Sequence, residues 1–218
     1  MSIFFDLDGP ILDASERYFR VHQDIIEQYG GRSMDKETYW QFKRDRRPLS
    51  TLLGMIGFNA SEQIYRMQWV RKIELLKYLQ HDTVIHGARE QLEKLKQHHT
   101  LILVTLRQRP ANLGRQLEYL KIDHYFTAIL STNPCGVNGW ETKKQLIAES
   151  GFPVENALIV GDTEIDIRAG KALGLKTVAV LSGIRNRERL AEEHPDFIVG
   201  GMNALSQIIK ENWAENYG

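Results

Sequence analysis

Cysteine and surplus charge are what this chain has least of. Cys135 is the single cysteine among 218 residues. That excludes an intrachain disulfide and fits a reduced, cytoplasmic setting. Lys and Arg total 28, and so do Asp and Glu, for a net charge of zero. The basic excess that usually marks a nucleic-acid or anionic-membrane partner is missing. No apolar run approaches the roughly 18 residues of a membrane span. The opening Met1-Ser2-Ile3-Phe4-Phe5-Asp6 has no basic stretch, and its apolar run is too short for a signal peptide. Internal repeats and low-complexity segments are absent, and no His/Cys spacing suggests zinc.

What is present is an alternation of short apolar runs and helical patterns. Ile3–Phe5, Leu101–Thr105, Ala128–Ser131, Leu158–Val160, Thr177–Leu181 and Phe197–Val199 read as strands buried on both faces. Ala88–Gln97, Ala111–Leu120, Lys143–Ser150, Ile165–Leu173 and Arg187–Glu193 read as the helices between them. Such alternation predicts βαβ units, a parallel sheet and an α/β, Rossmann-like three-layer sandwich. Residues 14–84 break the rhythm. Ser15–Tyr29 sets Tyr18, His22, Ile25 and Tyr29 on one helical face. Ser61–Leu79 does the same with Ile64, Met67, Val70, Ile73 and Leu76. No strand is apparent there, so the region reads as a helical insert.

Acidic residues close two of the strands. Asp6-Leu7-Asp8-Gly9 follows the first apolar run, and Gly161-Asp162-Thr163-Glu164-Ile165-Asp166 follows a later one. Ligands of parallel α/β sheets bind beyond the carboxyl ends of the strands, where Asp6, Asp8, Thr105 and Asp162 all fall. Taken singly, Asp8-Gly9 is also an ordinary turn and Asp162 an ordinary helix cap. Taken together they imply a shared cation and phosphate. Positions i and i+2 of a strand face the same side, so Asp6 and Asp8 can address one substrate. Two nearby carboxylates separate in pKa. A divalent cation would keep one ionised as a nucleophile while the other keeps a proton as an acid. Hard oxygen ligands with open positions suit Mg²⁺.

Asp6-Leu7-Asp8-Gly9 with Leu12-Asp13, then Leu101–Thr105, then Lys143 or Lys144, then Gly161-Asp162 with Asp166 resemble the four ordered motifs of the haloacid dehalogenase-like hydrolases. The resemblance spans nearly the whole chain. It implies that Asp6 attacks phosphorus and forms an aspartyl-phosphate, and that Asp8 protonates the leaving oxygen and then activates water. It implies Mg²⁺ held by Asp6, the backbone carbonyl of Asp8, and Asp162. Thr105 would hydrogen-bond a phosphoryl oxygen, the lysine would neutralise charge, and Asp166 would support the metal or the lysine. Thr142-x-x-Gln145 reads as a capping box, which puts Lys143 and Lys144 in a first helical turn where cations oppose the dipole unless an anion needs them. Lys143 is favoured, because family members often have Ser or Thr before the lysine. Thr163-x-x-Asp166 gives Asp166 a purely structural reading as well, near a helix N-terminus.

An acid at position 8 favours phosphate-ester cleavage over dehalogenation. Pro10 departs from the Thr or Val that often follows Asp-Gly in the family, and Leu106 from the Asn that usually follows the second motif's Thr, which speaks against a specific phosphoglycolate assignment. The insert resembles a C1-type cap, as in phosphoglycolate phosphatase and β-phosphoglucomutase relatives. The expected division is a core of residues 1–13 and 85–218 and a cap of 14–84, with hinges near Asp13-Ala14 and Thr83–Gly87. In the cap, Lys43–Leu49 is basic; Arg47, with Arg46 close behind, is the expected substrate contact, and Arg107 could reach the substrate from the loop after Thr105. The expected enzyme is a phosphatase acting on a small phosphomonoester, a monomer or homodimer without nucleic-acid or membrane partners. A sugar phosphomutase and a non-catalytic phospho-ligand-binding protein are the alternatives.

Overall fold

Ser2–Phe5 forms the first strand, β1, buried along its whole length. In the computed structural model, which describes residues 1–32, 34–132 and 139–212, the chain continues as follows. A short β2 (Leu12–Asp13) leads into five helices: α1 (Ser15–Tyr29), α2 (Lys36–Arg44), α3 (Leu49–Ile56), α4 (Glu62–Lys72) and α5 (Leu76–Leu79). Then come β3 (Thr83–Val84), α6 (Ala88–Lys96), β4 (Thr100–Thr105), α7 (Pro110–Tyr119), β5 (Ala128–Ser131) and α8 (Gly139–Glu149). The chain closes with β6 (Leu158–Gly161), α9 (Glu164–Ala172), β7 (Lys176–Val180), α10 (Arg187–Ala191), β8 (Phe197–Val199) and α11 (Leu205–Asn212).

Six strands make one all-parallel sheet in the order β5-β4-β1-β6-β7-β8. Side chains alternate along β1. Ile3 and Phe5 pack with Leu92, Leu117 and Ile209 from α6, α7 and α11 on one face. Phe4 packs with Ile102, Ile159 and Ile147 of α8 on the other. Both faces are therefore covered, as parallel sheets require. The order reverses around β1, between β4 and β6, so the carboxyl ends of those three strands open onto one crevice.

The five-helix segment has its own apolar centre. Val21, Ile25, Ile56 and Tyr65 form one cluster, and Tyr39, Phe42 and Leu52 form another. Local capping sets its helix starts: Asp35 accepts the Thr38 N–H at 2.7 Å and Ser61 accepts the Ile64 N–H at 3.3 Å. The segment is a helical cap over the sheet's carboxyl edge. Among the described residues no helix is long and apolar enough to cross a membrane.

Three local expectations need correction. First, residues 61–79 are two helices, not one, and the stripe of Met67, Val70 and Leu76 is not buried. Tyr65 and Gln68 face the cap interior instead. The chain turns at Ile73–Leu75 because Glu74 reaches into the core loop, where it accepts the Gln108 N–H at 2.9 Å and the Arg109 N–H at 2.8 Å. Second, the cap region is not strand-free at its borders. β2 and β3 pair antiparallel, Leu12 with Val84 and Asp13 with Thr83, in a ribbon too short for periodicity to register. Third, α8 starts at Gly139, so Thr142 lies inside the helix and is not its N-cap. A Cβ on Gly139 would come within 2.9 Å of Ile165 and 3.1 Å of Leu106, so this first turn packs closely against both. Cys135 lies outside the described residues.

Two seams join cap to core on opposite sides of the crevice. On one, Asn112 donates to the Glu74 carbonyl at 2.8 Å beside the Glu74 carboxylate bonds. On the other, Arg44 donates to the Gly183 carbonyl and, at 3.2 Å, to that of Leu181. Arg185 returns a bond to the Lys43 carbonyl at 3.1 Å. The cap is thus closed onto the sheet.

Candidate active site

Asp6 is the first residue beyond β1, and its N–H still joins the ladder through the Val160 carbonyl at 2.9 Å. The chain then turns at Gly9, whose φ of +101° favours glycine. Space demands glycine there as well, since a Cβ would lie 2.2 Å from the Asp162 carboxyl carbon. Gly161 and Gly183 obey the same constraint. Added Cβ atoms would fall 2.1 Å from Asp166 and 1.9 Å from Asp162 respectively. Three glycines therefore let backbone close around two acids.

Lys143, one turn into α8 and only 2% exposed, links that acidic group. Its Nζ lies 2.9 Å from Asp6 Oδ1 and 2.5 Å from Asp166 Oδ1. The other Asp166 oxygen accepts the Thr163 N–H at 3.1 Å and hydroxyl at 2.7 Å, which forms the capping box of α9. Asp166 thus caps a helix with one oxygen and holds the lysine with the other. Asp162 accepts the Ile184 N–H at 2.5 Å. Lys144, by contrast, is exposed.

One oxygen each from Asp6, Asp162 and Asp166 lies within 4.8 Å of the others. The Lys143 ammonium meets two of these three carboxylates, Asp6 and Asp166. Burial, opposed by Lys143 and reinforced by Asp166 and Asp8, pushes Asp6 up to about 7. Burial and the nearby Asp6 and Asp166 hold Asp162 well above the usual carboxylate range. Burial works against the Lys143 charge, but Asp166 and Asp6 outweigh it and raise its pKa. The hard-oxygen donor set and its surplus negative charge fit a divalent cation such as Mg²⁺. Both Asp166 oxygens already accept protein donors, so Asp6 and Asp162 have the open capacity.

The other half of the crevice is built differently. Asp8 receives Arg107 bidentately, Nε at 2.9 Å and Nη2 at 2.7 Å. Arg17 of α1 adds its Nη2 at 2.9 Å. Behind them, Asp82 meets Arg17 at 3.0 Å and Arg107 at 3.4 Å and accepts from Gln116 at 2.7 Å. Burial alone would raise Asp8, but Arg107 and then Arg17 hold it far below the usual range. Asp82 is pushed up to about 6 by burial, against Arg17.

Asp6, Asp8, Thr105, Arg107, Lys143 and Asp162 all line one cavity of about 290 Å³. Thr105 is buried there at the end of β4. The structure does not bring Arg47 to it. That side chain is exposed, with its guanidinium carbon 4.6 Å from the Phe42 ring centroid. Arg46 instead pairs with Glu164 at 3.2 Å. The cap's basic contribution comes from Arg17, which the sequence reading missed. Its only local signal is an arginine on the apolar side of an amphipathic helix. Asp82, Glu74 and Gly183 were also missed, because each acquires its role through partners distant in sequence.

Comparison with known proteins gives one consistent answer. The family model of haloacid dehalogenase-like hydrolases matches residues 3–180. A phosphoglycolate phosphatase of Pseudomonas fluorescens is 25% identical, over 98% of this chain and 81% of its own. Pyrophosphatase PpaX of Anoxybacillus flavithermus is 24% identical, over 95% and 96%. A haloacid dehalogenase-like family protein from Streptococcus pneumoniae superposes with a TM-score of 0.76 at 22% identity, covering 95% of this chain and 97% of that one.

Proposed function

The chain belongs to the haloacid dehalogenase-like hydrolase family, and on that premise we propose that it is a Mg²⁺-dependent phosphatase of small phosphomonoesters. The observation that carries the proposal is the meeting of Asp6, Lys143 and Asp162 at the ends of strands β1 and β6 and on α8. Phosphatase-named relatives across nearly the full chain support it.

Asp6 is the nucleophile. Its carboxylate oxygen forms a bond to phosphorus as the bond from phosphorus to the leaving oxygen breaks, giving an aspartyl-phosphate. Water then attacks that phosphorus, releases inorganic phosphate and restores the Asp6 carboxylate. Lys143 favours the ionised form of Asp6 and offsets charge on the phosphoryl oxygens. Thr105 donates its hydroxyl to one of those oxygens. Asp8 serves the two proton transfers, delivering a proton to the leaving oxygen and taking one from the attacking water. The arginine pair that holds it ionised suits the second role directly, and the first requires that pairing to loosen. Asp6, Asp162 and the Asp8 carbonyl would hold Mg²⁺, which supplies charge neutralisation and phosphate orientation when bound. Asp166 positions Lys143.

We assign residues 1–13 and 85–218 to the catalytic core and 14–84 to the cap, with the β2–β3 ribbon as the hinge. Cap closure over a bound ester would keep bulk water from the transfer. The small-molecule ester is the partner, and the lone cysteine fits a reduced, cytoplasmic setting. The test is p-nitrophenyl phosphate hydrolysis with and without Mg²⁺. Asp6→Asn should abolish the Mg²⁺-dependent turnover, and unchanged turnover would remove Asp6 from its role.

A further inference from the structure

The cap side of the cavity is aromatic. Tyr18 from α1, Trp40 from α2 and Trp69 from α4 line it together. The Tyr18 ring sits edge-on to both indoles, with centroids 5.9 Å from Trp40 and 5.2 Å from Trp69. Val70 and Ile73 continue the wall. Val70 is 55% exposed, whereas Ile73 also packs against the cap's apolar cluster. Val70 is the residue of the α4 stripe that looks into the crevice. Leu106 extends the wall from the core side.

Charge is distributed in the opposite sense. Among the described residues, the cations lining the cavity are Arg17, Arg107 and Lys143. Each is already paired, with Asp8 and Asp82 or with Asp6 and Asp166. A second anionic group on the substrate would have to displace a carboxylate from an arginine and would then lie beside that carboxylate. Indole and phenol rings instead recognise apolar or aromatic faces, at about 0.5–1.5 kcal/mol per ring pair beyond area burial. Substituents lying against this wall need be no larger than a ring, because the whole cavity is small.

We infer that the alcohol portion of the substrate is an uncharged ring that packs its face against Tyr18, Trp40 and Trp69, and that esters bearing a second anionic group are poor substrates. This rests on the phosphatase reading and names the substrate class of that same site. An aryl ring and a sugar ring share the required face.

The test uses the full chain with Mg²⁺ and five probes: phenyl phosphate, glucose 6-phosphate, methyl phosphate, phosphoglycolate and pyrophosphate. The expected result is a kcat/KM at least about tenfold higher for one or both ring esters than for the two anionic probes. Trp69→Ala and Trp40→Ala should each lower the selectivity for that ring ester over methyl phosphate, acting mainly through KM. Trp69→Phe should restore much of it, which separates stacking from misfolding. Phenyl over glucose ester identifies an aryl face and the reverse a sugar ring, and either order supports the inference. Preference for phosphoglycolate or pyrophosphate overturns it, as does a Trp variant that weakens methyl and ring esters equally. If no probe is hydrolysed, the phosphatase reading fails separately. Tryptophan emission of Asp6→Asn then decides the subsite, with quenching by ring esters but not by phosphoglycolate supporting it and the reverse overturning it.

Discussion

The two halves of one crevice solve the problem of buried acids in opposite ways. Around Asp6, three carboxylates gather, and the one lysine there bridges two of them, Asp6 and Asp166. Around Asp8, two carboxylates share two arginines. The Asp8 half is neutral within the protein. The Asp6 half is not, and there burial, reinforced by the neighbouring acids, raises Asp6 and Asp162. Unbalanced buried charge costs several kcal/mol per ion unless something compensates it. On the proposed reading, the imbalance suits a cation and a nucleophile, and the balance holds the proton carrier in place.

The largest expected effect breaks the first half chemically. Asp6→Asn should lower kcat by at least about 10³-fold, because no other group replaces an attacking carboxylate. Steady-state hydrolysis measures it, alongside circular dichroism to confirm the fold.

Next in size is a contrast in stability. Lys143→Met leaves Asp6 and Asp166 without their shared counter-charge and should cost about 3–5 kcal/mol in metal-free urea unfolding. Arg107→Met should cost less, about 1–3 kcal/mol, because Arg17 still holds Asp8. Added Mg²⁺ should recover part of the Lys143→Met loss and none of the Arg107→Met loss. Equal rescue of both variants would erase the distinction between the halves.

A pH series sharpens it further. Asp6 lies at about 7 in the folded protein against an ordinary 3.8. Between those values the folded state binds a proton that the unfolded chain lacks. Its contribution is therefore fully present below about 4 and lost as pH rises through 7. The slope is at most about 1.4 kcal/mol per pH unit. Saturating Mg²⁺ should flatten it, because the cation needs the ionised carboxylate. Comparing Asp6→Asn with the parent protein in metal-free buffer isolates this term.

The smallest effect is expected outside the crevice. Arg47→Ala should change kcat/KM by less than about twofold and stability by about 0.5 kcal/mol or less, as for other exposed positions. A tenfold loss would mean that Arg47 reaches the substrate after all.

Legibility in the sequence follows the same division. The sheet was legible because β1, β4 and β6 are continuous apolar runs, each long enough to show a pattern. Asp6, Thr105 and Asp162 were legible because each ends such a run. Lys143 is legible by motif but not by capping, since α8 begins at Gly139 and Thr142 lies inside it. Arg17, Asp82 and Glu74 were not legible. They sit in or beside the cap, and only tertiary pairing brings them to Asp8 or to the loop after β4. The aromatic wall escaped for the same reason, because Tyr18, Trp40 and Trp69 come from three helices. Arg47 illustrates the converse: local basicity singled it out, yet its turn faces Phe42.

The most direct measurement is acid-quenched single turnover with a phosphate ester labelled in phosphorus, followed by peptide mapping. The account predicts a hydroxylamine-labile phosphoryl group on the peptide that contains Asp6, absent from Asp6→Asn. Label on any other residue, or release of phosphate with no labelled peptide at any quench time, would contradict it.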